Sequence, residues 1–171
     1  MSKMYGKQEV YKLLESNGIA FEKLEHEAVY TMEDMEKEGN VGKGTVCKNL
    51  FLRDAKGKNH YLVTVPDEKR VDMKMLAGQI GSTKLSFASA ERLEKYLGVE
   101  QGCVSPFGVL NDESRSVVVV FDEDLKSDKA VGIHPNDNTA TVWLPFLSLN
   151  SLIAEHGNDI SFARFEDTIY T

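Results

Sequence analysis

The chain has 171 residues, of which 42% are hydrophobic and 27% charged, a balance typical of one globular domain with a real core. Its net charge of −7 argues against a protein that coats nucleic acid by neutralising phosphates. No stretch approaches the ~20 apolar residues of a membrane-spanning helix, and the N-terminus lacks the apolar segment of a secretory signal. We therefore expect a cytoplasmic protein, without a membrane partner, that forms a single domain over residues 1–171.

The first elements in chain order are two short helices around a strand. QEVYKLLESNG has the spacing of an amphipathic helix, and AFEKLEH follows it as a short strand. Thr31, with Asp34 three residues later, predicts the N-cap of a brief acidic helix. That helix should end in the glycine-punctuated loop 39–44.

A hairpin is predicted next, followed by elements of both kinds. The β-rich segments TVCKNLFLRD and HYLVTV flank AKGKN, a polar segment typical of a hairpin turn. The elements predicted after it are the helix VDMKMLAGQIG, the strand LSF, the Ser89-capped helix AERLEKYLG, the strand SVVVVFDEDL, two strands within AVGIHPNDNTATVWL, and the C-terminal helix PFLSLNSLIAEHG. This mixed order predicts an α+β domain on a mixed, largely antiparallel sheet with flanking helices.

The cysteines and histidines do not form a recognisable metal-binding or disulfide pattern. Cys47 and Cys103 lie far apart and outside any CxxC motif, so we expect reduced thiols. The four histidines show no HxH or HxxxH spacing. We expect no metal and no cofactor.

Lys48 lies among apolar residues in a predicted strand. It is either an edge residue that reaches solvent or a cation placed for a phosphate or a developing oxyanion. Asn49 follows it and should point to the other face of the strand, either as a polar strand residue or as a ligand-binding group.

Two histidines occur in loops where a structural and a functional role are both open. His134 precedes Pro135 in a turn-rich segment, where it could satisfy local backbone groups or face a pocket as a proton carrier. His26 precedes the Thr31 cap, and the same two interpretations apply to it.

The segment GCVSPFG could be a turn, a nucleophile loop or a rigid backbone held against a ligand. A nucleophilic Cys103 would need a base or a helix N-terminus beside it, and the sequence places neither there. Ser105 does not lie in a GxSxG motif. Gly102 allows a ligand to come close to the main chain, while Pro106 has a fixed φ and restricts the conformation of Ser105. This combination favours a loop that binds a ligand through its backbone.

Four segments in order give the chain its resemblance to a known family. CKNLFLRD, LSFASAERLEKYLGV, GCVSPFGVLND and GIHPNDNTATV resemble the YbaK/prolyl-tRNA editing superfamily. Within it, they resemble the free-standing prolyl-tRNA deacylases that are related to the insertion domain of bacterial prolyl-tRNA synthetases. The resemblance runs from about Lys7 to Gly157, which is nearly the whole chain.

The resemblance implies a barrel-like mixed sheet of six or seven strands and a set of site residues. Lys48 matches a strand lysine needed for activity that faces the terminal adenosine, and Gly102 and Pro106 match the ends of a GxxxP loop that positions the aminoacyl ester. His134 matches the histidine of an HP loop. The implied catalytic residues are Lys48, Gly102 and His134; the implied substrate-binding residues are His26, Thr31, Asn49, Ser105, Pro106, Asn138 and Thr139.

The implied activity is hydrolysis of mischarged tRNA(Pro), most often alanyl-tRNA(Pro), by water and the substrate's own ribose hydroxyl. The implied partner is the tRNA(Pro) acceptor end, with prolyl-tRNA synthetase or an elongation factor as further candidates. Between Lys43 and Lys58, five basic residues and one acidic residue give a local charge of +4 that could contact this end. A cysteinyl-tRNA(Pro) deacylase and a non-catalytic nucleotide-, tRNA- or synthetase-binding module are the alternatives.

Overall fold

The structure, a computed structural model, describes residues 4–29, 31–39, 43–127 and 130–167. Within these residues the helices are α1 (Lys7–Ser16), α2 (Met32–Lys37), α3 (Met73–Ile80), α4 (Ala90–Leu97) and α5 (Phe146–His156), with 3-10 helices at Pro106–Asn111 and Glu123–Ser127. The strands are β1 (Glu22–Glu25), β2 (Thr45–Arg53), β3 (His60–Pro66), β4 (Lys69–Arg70), β5 (Ser86–Phe87), β6 (Val118–Asp122), β7 (Val131–Ile133), β8 (Ala140–Leu144), β9 (Ile160–Ala163) and β10 (Glu166–Asp167).

The strands form a mixed sheet in the order β1-β8-β7-β2-β3-β6-β9, with β5 paired to β2 beside this path. The pairs β1/β8, β7/β8, β2/β3 and β2/β5 are antiparallel, whereas β2/β7, β3/β6 and β6/β9 are parallel. The prediction of an α+β domain on a mixed, mostly antiparallel sheet with flanking helices is confirmed.

Strand β2 is paired along only part of one of its edges, which leaves a gap in the sheet. One edge pairs with β3, while the other pairs with β7 only at Thr45 and Val46 and with β5 only at Leu52 and Arg53. The Phe51 carbonyl also accepts from the Ala88 N–H at 2.9 Å on this edge, so in the described part of the chain residues 47–50 have no partner strand there. Space for a ligand opens where a sheet edge is left uncovered in this way.

The β2/β3 part of the main sheet packs against a hydrophobic cluster on each face, because successive side chains of a strand point to opposite faces. Phe51 and Leu62 belong to a larger core, whereas their neighbours Leu52 and Val63 belong to a smaller one. Helices α1, α4 and α5 pack on the larger core and α3 on the smaller one. No helix among the described residues is long and apolar enough to cross a bilayer.

Most predicted elements are found, but three short strands, β4, β9 and β10, were not predicted. Thr31 caps α2 through its hydroxyl, with Asp34 returning the hydrogen bond in a capping box, and Ser89 caps α4. The segment PFLSLNSLIAEHG, predicted as the C-terminal helix, is followed by two strands that were not predicted, β9 and β10. The two-residue strand β4, which pairs with β10, was also missed. Residues 40–42 of the predicted glycine loop lie outside the described residues.

A buried histidine links the β2–β3 hairpin to α4. His60 is 2% exposed, and its ring lies 4.1 Å from that of Tyr96 between centroids. Arg92 Nη1 donates to His60 Nε2 at 2.9 Å and to the Gly57 carbonyl at 3.0 Å. Because a guanidinium only donates, Nε2 must be the acceptor, and the ring is neutral in this arrangement.

We expect acid to destabilise the protein partly through His60. Burial, and then the positive charge of Arg92, hold the pKa of His60 below its usual value of 6.5. A depressed histidine pKa means that the unfolded chain takes up the proton more readily, so this stabilisation is present above pH 6.5 and is lost as pH falls through the folded-state pKa. Urea unfolding from pH 7.5 to pH 5 should show a falling free energy of unfolding, by at most about 1.4 kcal/mol per pH unit for one proton.

The variant His60→Gln isolates this contribution. It should be less stable than the wild type at pH 7.5, yet lose less stability on acidification because the titrating ring is gone. An unchanged pH slope in this variant would show that other groups cause the acid sensitivity.

Candidate active site

A cavity of about 360 Å³ opens beside the uncovered edge of β2, within the range of about 300 to 1,000 Å³ that is common for small-ligand sites. It is formed by β2, β7, β8, α2, the β3–β4 turn and the loop after α4. Its lining residues are Thr31, Met32, Met35, Val46, Cys47, Lys48, Asn49, Asp67, Gly102, Val104, Gly132, His134 and Thr141. The predicted residues Lys48, Asn49, Gly102, His134 and Thr31, separate in sequence, thus meet at one cavity.

Lys48 is half-buried in the wall of this cavity. Among the described residues, no carboxylate lies within 4.0 Å of its ammonium group. A partly desolvated cation without a protein counter-charge attracts anions and developing negative charge more strongly than it would in bulk water. The arrangement can therefore bind a phosphate or stabilise an oxyanion.

Asn49 lines the same cavity as Lys48, although successive strand residues point to opposite faces. Both can do so because the cavity lies along the strand edge. The Asn49 Oδ1 accepts a hydrogen bond from the buried Thr64 hydroxyl at 2.6 Å, which fixes the amide. Its Nδ2 donors are then directed away from Thr64 and can serve a ligand.

His134 contributes an oriented ring. Its Nδ1 lies 2.8 Å from the Ala140 carbonyl, and since a carbonyl can only accept, Nδ1 carries the proton. In a neutral ring the lone pair is then on Nε2, which can accept a proton or a hydrogen bond. The β7–β8 turn therefore orients His134 through a backbone contact.

His26 lies behind His134 and is absent from the cavity lining. The two rings meet edge to face with centroids 6.2 Å apart, and His26 Nε2 lies 2.9 Å from the hydroxyl of Thr141, a lining residue. Burial lowers the pKa of His26, although its hydrogen bond to the Glu27 carbonyl acts in the opposite direction. Nε2 of a neutral His26 accepts a hydrogen bond from the Thr141 hydroxyl, so His26 helps to position a residue that lines the cavity.

In the GCVSPFG segment, residues 102–105 form a loop and Pro106 begins a 3-10 helix. Gly102 is exposed with φ +91°, a conformation that favours glycine, and it lines the cavity. Ser105 is fully buried, and its hydroxyl accepts from the Phe107 N–H at 3.0 Å. Pro106 is the buried first residue of the 3-10 helix. Ser105 and Pro106 shape the loop from outside the cavity lining, and direct contact with substrate stays a prediction for both.

Asn138 and Thr139 join the HP loop to its surroundings and are also absent from the lining. Asn138 Nδ2 lies 3.6 Å from the position that a β-carbon on Gly102 would take. The Thr139 hydroxyl donates to Asp137 at 2.5 Å and accepts from Lys7 at 2.9 Å. The Asn138 side chain thus lies next to Gly102, while the hydroxyl of Thr139 joins the His134 loop to Lys7 of α1.

Cys103 is poorly suited to act as a nucleophile. Burial raises the pKa of its thiol, with a weaker opposing effect from the Asn138 backbone N–H. A raised thiol pKa leaves little reactive thiolate at neutral pH. In addition, no three His, Cys, Asp or Glu side chains of the described residues are grouped so that they could hold a metal ion.

Sequence reasoning missed the apolar wall and the cavity's carboxylate. Met35, 4% exposed, and Met32 come from α2, and Val104 comes from the loop after Gly102. The three-residue spacing of the two methionines places them on one face of α2, a signal that could have been used. Asp67 follows β3 in a turn, and no sequence pattern connects it to the other lining residues.

The chain is similar to a known family and to known proteins over most of its length. The profile of a family described as "Aminoacyl-tRNA editing domain" matches residues 26–152. The chain is 50% identical over 155 residues to the prolyl-tRNA editing protein ProX of Acetoanaerobium sticklandii, covering 91% of this chain and 94% of that protein. It is 32% identical to the prolyl-tRNA synthetase associated domain-containing protein 1 of Mus musculus, covering 92% and 95%.

The fold also matches solved structures. A crystal structure of a proposed trans-editing enzyme for prolyl-tRNA synthetase superposes with a TM-score of 0.73 at 21% identity, covering 97% of this chain and 99% of that one. At this identity the match supports the fold alone. With the family profile and a half-identical relative, however, the chain belongs to the aminoacyl-tRNA editing domain family, and its predicted assignment as an aminoacyl-tRNA deacylase is confirmed.

Proposed function

We propose that this protein edits in trans by hydrolysing the ester of mischarged tRNA(Pro), with alanyl-tRNA(Pro) as its best substrate. The observation that carries the proposal is the single cavity at which Lys48, Gly102 and His134 meet an apolar wall. The relatives named for prolyl-tRNA editing support tRNA(Pro) as the carrier.

The reaction needs positioning and electrostatics more than a protein nucleophile. Water adds to the ester carbonyl, the bond to the terminal ribose oxygen breaks, and that oxygen leaves as a hydroxyl group, so free amino acid and tRNA result. An aminoacyl ester is already reactive, and orientation together with charge stabilisation lowers the remaining barrier. This assignment agrees with Cys103, whose environment disfavours a thiolate.

Each central residue has a role that its surroundings suit. Lys48, without a carboxylate partner among the described residues, stabilises negative charge on the terminal nucleotide or on the carbonyl oxygen as water adds. The exposed main chain at Gly102 positions the ester. His134, held through Nδ1, presents Nε2 to accept a hydrogen bond from the attacking water or the ribose hydroxyl.

The apolar wall supports a small side chain on the substrate. Met32, Met35 and Val104 form a surface suited to a methyl group, but the thioether side chains can adapt in shape. A difference of one small group in an apolar pocket changes the rate by roughly 10- to 200-fold. We therefore expect alanine to be removed fastest and cysteine more slowly.

Single-turnover deacylation of tRNA(Pro) charged in parallel with alanine, cysteine and proline tests the proposal. Alanyl-tRNA(Pro) should be hydrolysed fastest, cysteinyl-tRNA(Pro) roughly 10-fold or more slowly, and prolyl-tRNA(Pro) should persist. Faster loss of cysteine would assign the enzyme to cysteinyl-tRNA(Pro). Stability of all three esters with folded protein would contradict deacylation of tRNA(Pro) and leave a binding module.

The cellular setting stays a prediction. The name of the mouse relative refers to an association with prolyl-tRNA synthetase, and that enzyme, like an elongation factor, would bring charged tRNA(Pro) close to this protein in the cytoplasm. The basic residues between Lys43 and Lys58 would contact the acceptor end, which makes tRNA affinity sensitive to salt.

A further inference from the structure

The cavity lining contains one carboxylate, Asp67, which has no role in the mechanism above. Asp67 is exposed in the turn between β3 and β4, and its main-chain N–H donates to the Val46 carbonyl at 2.9 Å. This bond extends the β2/β3 ladder by one residue and fixes where the side chain of Asp67 begins. A carboxylate at the wall of a substrate cavity is a candidate for binding a positively charged group.

The register places Asp67 on the same face of the sheet as Lys48. Lys48 lies opposite Val65, and Asp67, two residues after Val65 and just past the end of β3, lies opposite Val46. Diagonal neighbours of this kind in an antiparallel pair are about 7 to 8 Å apart. Their side chains form no ion pair within 4.0 Å. The cavity lining therefore contains a positive and a negative group on one face of the sheet that form no ion pair with each other.

An aminoacyl ester has a positive group close to a carbonyl that becomes negative during the reaction. Its α-ammonium group is one carbon away from the carbonyl, on which negative charge develops when water adds. With the carbonyl or the terminal nucleotide at Lys48, the ammonium group can reach the carboxylate of the diagonal neighbour. We propose that Asp67 binds the α-ammonium group of the aminoacyl ester and makes the enzyme selective for esters with a free amino group. The proposal rests on the proposed function.

A structural role is the competing explanation, because aspartate is common in turns, where its carboxylate satisfies local backbone groups. The two explanations predict different substrate dependence. Loss of a turn contact would impair hydrolysis of every ester alike, whereas loss of an ammonium-binding carboxylate would impair only substrates that carry the charge.

The test compares alanyl-tRNA(Pro) with lactyl-tRNA(Pro), made from it by deamination with nitrous acid. The two esters have nearly the same shape, but a hydroxyl replaces the ammonium group. For each enzyme we would measure kcat/KM on both. Asp67→Asn should lower kcat/KM for the alanyl ester by about tenfold or more, the usual effect of losing a hydrogen bond to a charged group, and leave the lactyl ester within about twofold.

The two esters differ in intrinsic reactivity. This difference cancels when the ratio of kcat/KM for the alanyl ester to kcat/KM for the lactyl ester is compared between wild type and variant. Glu68→Gln is the matched control, since Glu68 is the adjacent exposed carboxylate of the same turn and is absent from the cavity lining; it should keep the wild-type ratio. An equal loss on both esters in Asp67→Asn, or no loss on either, would overturn the proposal. Wild-type enzyme that hydrolyses neither ester would instead contradict the proposed function.

Discussion

Replacing Lys48 with alanine is expected to reduce the single-turnover rate of alanyl-tRNA(Pro) hydrolysis by at least about 100-fold, the effect of removing one preorganised group that stabilises developing charge. Lys48 is the one lysine or arginine of the cavity lining, and no carboxylate of the described residues lies within 4.0 Å of its ammonium group. Its charge is therefore available to the substrate. The rate should be measured with enzyme in excess over tRNA.

The matched control is Lys58→Ala, which removes an exposed lysine from the hairpin turn outside the cavity lining. This variant should keep the rate of the bound complex and weaken tRNA binding slightly, with a smaller dependence on salt. Circular dichroism and urea unfolding should show that Lys48→Ala remains folded, because Lys48 is only half-buried. Near-normal turnover by folded Lys48→Ala would remove this residue from the mechanism.

Replacing Gly102 with alanine is expected to lower the single-turnover rate by about 10- to 100-fold through displacement of the loop, since misplacement by about 1 Å can cost 100-fold. The β-carbon itself has space, because the nearest atom outside the adjoining residues would be Asn138 Nδ2 at 3.6 Å. The backbone is the constraint: at φ +91° an L-residue is strained, and relief of that strain moves the main chain that faces the ester.

Gly81→Ala is the control for the strain that any L-residue introduces at a positive φ. Gly81 has φ +70° at the end of α3, and among the described residues no atom beyond its chain neighbours would lie within 4 Å of an added β-carbon; it also lies outside the cavity lining. Each substitution should destabilise the fold by roughly 1 to 2 kcal/mol. Only Gly102→Ala should slow hydrolysis. An unchanged rate in Gly102→Ala would mean that the loop does not position the ester.

The local elements could be predicted because their signals lie within a few neighbouring residues. The Thr31 capping box, the Ser89 cap and the hairpin around Gly57 each depend on contacts between residues close in sequence. Strands β4 and β10 escaped prediction because each has two residues and is stabilised by pairing with the other, nearly a hundred positions away. β9 was missed because its short segment, ISFA, acquires its strand conformation beside β6.

The sequence by itself determined the family, the kinds of element and the residues that deserved attention, because these follow from local spacing and from ordered motifs. Which of those residues share a cavity was decided by the tertiary structure alone. The open edge of β2 exists because β7 and β5 pair with different ends of that strand. The β2/β3 register and the bond from the Asp67 N–H to the Val46 carbonyl place Asp67 near Lys48, and α2 adds Met35 to the same cavity, whereas Ser105 and Pro106 lie outside its lining. Such assignments depend on strand register across distant segments, which no local pattern encodes.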